Sequence, residues 1–210
     1  MIRTAVTLPP TQSDSSVRTQ IVDRPVDWSD YLASHTDSGF SMRPEWLSVL
    51  SEAFGHRTVA MEARVEEKLV GVLPLALVES RLFGRRLCSL PYLNTGGVVA
   101  DSEEIAQRLI DHAVRLADEW DVKHLELRHE REIPHPALTH RLDTKVHLRL
   151  PLPGTSDELW NSFRSKLRSQ IRKPLADTEF SMHFGGEELL SEFYHVFCAN
   201  MRDLGKPPYS

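Results

Sequence analysis

The segment Leu69–Val78, LVGVLPLALV, constrains the fold more than any other, because it is apolar on both faces and so needs a layer of structure on each side. It follows Thr58–Val65, where Val59, Met61, Ala63 and Val65 alternate with polar neighbours, and the turn Glu66-Glu67-Lys68 joins the two as a hairpin whose second strand is central. Pro74 contradicts that central position. Proline cannot donate to a ladder, so it marks a bulge, an edge or a place where strands part. Two readings stay open: a plain structural bulge, or a backbone opening beside a ligand.

Around this hairpin the punctuation predicts a mixed α/β fold. Trp28, Tyr31 and Leu32 have helical spacing, and Pro44 starts a second short helix with Trp46, Leu47, Leu50 and Phe54 on its apolar face, ended by Gly55. Leu87–Leu90 reads as a further strand, and the turn residues 91–97, PYLNTGG, follow it. Asp101 or Ser102 caps a helix running to about Trp120, and 123–128, KHLELR, is a strand, an order that implies a crossover. Residues 1–20, rich in Thr, Ser, Pro and Gln, are expected to be disordered. A domain boundary is placed near residue 144, dividing 21–144 from 145–210, and 145–150, KVHLRL, is expected to form a strand.

The second part is dominated by cations. Thr155 and Glu158 form a capping box, Trp160, Phe163, Leu167 and Ile171 are expected to anchor one helical face, and Pro174 to end the helix. Arg164, Arg168 and Arg172 recur at four-residue intervals, with Lys166 and Lys173 beside them. Like charges at that spacing destabilise a helix, so the row is either an anion site suited to phosphate oxygens or a face neutralised by solvent and by some of the 30 acids of the chain. A second helix, Glu187–Asp203, carries Leu189, Leu190, Phe193, Val196 and Phe197 on its core side and stops at Gly205. Asn200, Arg202 and Asp203 in its last turn orient a substrate or merely cap and pair with one another.

Several function classes are excluded or disfavoured. The 210 residues carry a net charge of -5, against generic electrostatic binding of nucleic acid. Cys88 and Cys198 form no framework, which fits a reduced, cytoplasmic setting, and no stretch is apolar enough to span a membrane. Histidines at 112, 124, 129, 135, 140 and 147 match no metal-ligand spacing, so no metal is expected. Phosphate loops and GxSxG are absent. A reaction without a protein nucleophile suits the chain best.

Leu69–Leu77, the segment SLPYLNTGG at 89–97, HLELR at 124–128 and above all Trp160–Ser210 resemble FemAB-like proteins, of the type associated with PEP-CTERM and exosortase systems in bacteria that make exopolysaccharide. The resemblance implies two acyltransferase domains of the GNAT type in tandem, the second incomplete, as in a truncated product or fragment or in a chain whose partner supplies the missing sheet. It further implies transfer of an acyl or aminoacyl group, from acyl-coenzyme A or aminoacyl-tRNA, to an amine of a small-molecule, glycan or peptide acceptor, with no permanently bound cofactor. Lys166, Arg168, Arg172 and Lys173, with Asn200, Arg202, Asp203 and Tyr209, are the candidate substrate contacts. The coenzyme-binding pattern (Q/R)xxGx(G/A) is not met, since 81–86, RLFGRR, ends in arginine. The alternative is an inactive fragment whose basic helix 164–173 binds an anionic glycan or RNA.

Overall fold

The structure is a computed structural model that describes residues 17–36, 38–82, 84–144, 146, 148–177 and 183–208. It divides between Leu142 and Asp143 into two units.

In the first unit, strands β1 (Val17–Val22), β2 (Arg57–Val65), β3 (Lys68–Ser80), β4 (Gly84–Cys88), β5 (Val99–Ala100) and β6 (His124–Glu126) make one mixed sheet ordered β1-β2-β3-β4-β6, with β5 also on β3. Helices α1 (Trp28–Ala33) and α2 (Glu45–Phe54) cover one face and α3 (Glu103–Glu119) the other. β3 is buried on both faces as its composition requires: Val72 and Ala76 pack with Trp28, Leu47 and Leu50, and Leu73, Leu75 and Leu77 with Leu109, Ile110 and Ala113. Each fully buried leucine or isoleucine there contributes about 1.5–3 kcal/mol. Gly55 ends α2 with φ +67, and the Ser102 hydroxyl caps α3 by accepting from the Ile105 amide. β4, α3 and β6 form the crossover, with β4 and β6 parallel.

Pro74 marks a parting of strands rather than a bulge. β3 pairs continuously with β2 through Ala60↔Pro74, and the register shift on that side lies at Ala63/Arg64. On the other edge β5 reaches only Val72 and β4 only Ala76, so 73–75 have no strand beside them. The Asp101 amide donates to the Val70 carbonyl across the β5 edge. The Ser89 amide donates to the Glu126 carbonyl of β6, so by the two-residue alternation of a ladder Cys88 faces β3, its partner Ala76 faces β4, and Pro74 faces that same edge. Continuing the β4 register would bring Leu90 opposite Pro74, where its carbonyl would find no N–H. Leu90 instead adopts φ +50 and the chain leaves the sheet.

Residues 17–20 are not part of a disordered terminus, since β1 pairs along its length with β2. Its pairing buries a polar cluster: Glu62, 2% exposed, accepts from Gln20 Nε2 (2.8 Å), Trp28 Nε1 (3.2 Å) and Arg64 Nε (2.7 Å). Burial pushes the Glu62 pKa up, but the bonds from Arg64, Gln20 and Trp28 outweigh it and hold the carboxyl below its usual 4.5.

The second unit departs from expectation in five respects. Lys145 and His147 lie outside the described residues, but Val146 and 148–150 form no strand, and Val146, Leu148 and Leu150 are 60% or more exposed, since among the described residues no neighbouring strand offers them a ladder. The basic helix is two helices, α4 (Ser156–Ser162) and α5 (Ser165–Ala176), since the Ser162 hydroxyl turns back to the Leu159 carbonyl (2.6 Å) and Phe163 and Arg164 are extended. α5 passes through Pro174 instead of ending there. A 3-10 turn, Glu187–Leu189, precedes α6 (Leu190–Asp203), and the expected core faces are not buried: no residue of α4, α5 or α6 is, and Phe193 and Val196 are 64% and 67% exposed. Three helices without a sheet among the described residues have nothing to enclose those faces.

Glu62→Ala is expected to destabilise the protein by about 3–5 kcal/mol in urea titration at pH 7, because the buried Trp28 and half-buried Arg64 donors lose their acceptor. A carboxyl with a lowered folded pKa stabilises above its unfolded value and loses that contribution as pH falls through the folded one. Wild-type stability should therefore fall on acidification below pH 4.5, more steeply than that of Glu62→Gln; equal slopes would contradict this.

Candidate functional site

The twelve residues from Cys88, opposite Ala76, to Val99, opposite Val72, run against only five of β3, and the excess of seven is taken up by a loop. This loop, 89–98, stands at the C-terminal ends of the parallel strands β4 and β6, where open α/β sheets place ligands. Leu90 and Tyr92 both have left-handed backbone, at φ +50 and +70. Such conformations cost of order 1–3 kcal/mol each and persist only where the surroundings fix them.

The surroundings here are β6 and its extension. The Ser89 amide donates to the Glu126 carbonyl (2.9 Å), the Gly96 amide to the Arg128 carbonyl (2.9 Å), and the Arg128 amide to the Ser89 hydroxyl (2.8 Å). The Arg128 guanidinium joins the Leu93 carbonyl (2.6 Å) to the Glu126 carboxylate (2.7 Å), and Ser41 and Thr95 share a hydroxyl–hydroxyl bond. Gly97, at φ +88, lies against His129: a Cβ there would be 2.3 Å from the ring. Among the described residues His129 Nε2 is buried without a hydrogen-bond partner, and burial, then Arg131, lowers its pKa to about 4, so the ring is neutral.

The loop projects Tyr92 beside the start of β2. Its hydroxyl lies 2.8 Å from His56 Nε2, and its ring stacks at 4.8 Å on Phe54, with Phe54 and Tyr92 42% and 46% exposed. Burial, then Arg86, lowers the His56 pKa below 6.5. A neutral imidazole bonded to an accessible phenol can take up and pass on a proton near neutral pH. Cys88 is no nucleophile, being fully buried with its thiol pushed up to about 11, chiefly by burial. Among the described residues no group of His, Cys, Asp and Glu could hold a metal ion, and no helix is long and apolar enough to cross a membrane.

The residues singled out by charge lie in the second unit. Lys166, Arg168, Arg172 and Lys173 are on α5, and Arg164 precedes it in extended conformation, outside the helical row. The Arg172 guanidinium carbon lies 5.2 Å from the Trp160 ring centroid. Asn200, Arg202 and Asp203 end α6, with Arg202 paired to Asp203 (3.1 Å); Tyr209 lies outside the described residues. His56, Tyr92 and Arg128 were not among the sequence candidates. Their only signal was the turn composition of 91–97 after a strand.

No protein-family profile matches the chain, and no curated protein does. Among solved structures it is similar to a ribosomal-protein-alanine N-acetyltransferase from Brucella melitensis biovar Abortus 2308, at 15% identity and TM-score 0.34 over 64% of this chain and 99% of that one. It is also similar to a GNAT family acetyltransferase from Staphylococcus aureus, at 12% identity and TM-score 0.37 over 65% and 99%.

Gly97→Ala should lower stability by about 1–3 kcal/mol in a denaturant titration, by forcing a side chain into the left-handed region and onto His129. Gly39→Ala, with nothing within 4 Å of its Cβ, is the control and should change little; equal effects would show that the contact with His129 is slack.

Proposed function

We propose that the first unit is a GNAT-type N-acyltransferase scaffold, and that loop 89–98 and the ends of β4 and β6 receive the acyl donor and the attacking amine. The observation that carries this reading is the parted edge of β3 at Pro74, which puts a strained, firmly braced loop and the His56–Tyr92 pair at one end of a parallel strand pair. Amine attack on an acyl carbonyl needs orientation and removal of one proton, not a protein nucleophile. The amine nitrogen bonds to the acyl carbon as its proton passes to the Tyr92 oxygen and that of Tyr92 to neutral His56; the tetrahedral adduct then breaks its bond to the donor's sulfur or ribose oxygen, which takes the proton back from His56 through Tyr92 and leaves as thiol or hydroxyl.

Acyl-coenzyme A and aminoacyl-tRNA are the two donors compatible with this chemistry. The acceptor is a small-molecule, glycan or peptide amine of envelope or exopolysaccharide metabolism, a reading supported by the FemAB-like segments at 69–77, 89–97 and 160–210. Lys166, Arg168, Arg172 and Lys173 would contact phosphates of a substrate, with Asn200, Arg202, Asp203 and Tyr209 completing those contacts. The exposed apolar faces of α5 and α6 favour a covering sheet, from a partner chain or further polypeptide, before the second unit takes part.

With acetyl-coenzyme A and alanyl-tRNA as donors and amine acceptors of the glycan and peptide classes, His56→Ala is expected to lower kcat/KM by about 10²–10⁴. Because the base must be deprotonated, wild-type activity should fall as pH drops, with an inflection below 6.5 that disappears in His56→Ala. A wild-type profile identical to the variant's would remove His56 from the reaction.

A further inference from the structure

Away from loop 89–98, an open groove of about 700 Å³ runs between the end of β1, the first turns of α2, the start of β2 and the end of α3. That is the size of a small-molecule site. Its lining is mixed: Asp23, Arg24, Glu45 and Arg57 supply charge, and Ile21, 44% exposed, is its accessible apolar side chain, beside the nearly buried Val59, Leu47 and Leu116.

Arg57 distinguishes the groove. Its guanidinium carbon lies 3.8 Å over the Trp120 ring, and the Trp120 carbonyl is held by Arg85 Nη1 (2.7 Å). The side chain is exposed, and neither it nor Arg24 has an acid within ion-pair distance among the described residues. A guanidinium stacked on an indole has already lost much of its rotational freedom, and its edges remain able to form two parallel hydrogen bonds to a carboxylate. Of the acids, Glu45 sits in the first turn of α2, where the helix dipole offsets its charge. Asp23 is the charge on the rim that opposes an anion.

We infer that this groove binds a small molecule bearing a carboxylate, its carboxylate on Arg57 and a short hydrocarbon against Ile21. The site is separate from the acyl-transfer reading and stands or falls without it.

The probe is 4-methylpentanoate, with its uncharged amide, 4-methylpentanamide, as the comparison; the readout is the Trp120 indole N–H resonance of the full chain, assigned with Trp120→Phe. Saturable shifts are expected with a dissociation constant on the order of a few millimolar for a ligand this small. The carboxylate should bind about tenfold more tightly than the amide. Arg57→Gln should abolish that preference, and in Trp120→Leu, which keeps the charge but removes its platform and is therefore read by broadening of the ligand's own methyl resonance, carboxylate binding should weaken several-fold. Absence of saturable binding, equal binding of acid and amide, or an unchanged preference in Arg57→Gln would each overturn the inference, provided the variants melt at the wild-type temperature.

Discussion

The missing N–H of Pro74 is the constraint on which the first unit depends. Toward β2 nothing is lost, because by the alternation of the ladder the nitrogen of Pro74 faces the other edge. There no continuous strand can pair, so the chain pairs up to Cys88, leaves the sheet, and returns at Val99. Everything the site contains follows from that excursion: the left-handed Leu90 and Tyr92, the bracing by Arg128, and the delivery of Tyr92 to His56.

The same excursion settles how much of the chain was legible beforehand. A strand apolar on both faces announces its two covering layers, and a proline within it announces a defect, so β3, α2, α3 and the crossover could be read directly. What a parted edge does with its extra residues could not, because the path of 89–98 depends on contacts with β6 that are distant in sequence. Arg128 reads as the end of a strand, and only folding shows it gripping the Leu93 carbonyl. β1 was missed for a related reason: VRTQIV lacks regular alternation, and what holds it is long-range pairing with β2, with Gln20 bonded to the buried Glu62.

In the second unit the local signals were legible and the tertiary ones were not. Thr155 caps its helix, and Gly205, at φ +66, follows the last turn. Helical periodicity, however, specifies which face is apolar and not what covers it, and the faces of α5 and α6 are uncovered. A hydroxyl returning to a carbonyl at Ser162 also breaks the helix and removes Arg164 from the row of cations. Charge spacing therefore drew attention to α5, while the arrangement suited to moving a proton lies at the parted edge of β3.

The central claim is that loop 89–98 receives the acyl donor. Amide hydrogen exchange of the full chain, with and without acetyl-coenzyme A and alanyl-tRNA, tests it most directly, because binding should slow opening of the segments that close over the ligand. The account predicts increased protection of 89–98 and of 126–129 with at least one donor, and none at the distal β1–β2 pairing. Protection confined to other segments, or no change with either donor, would contradict it.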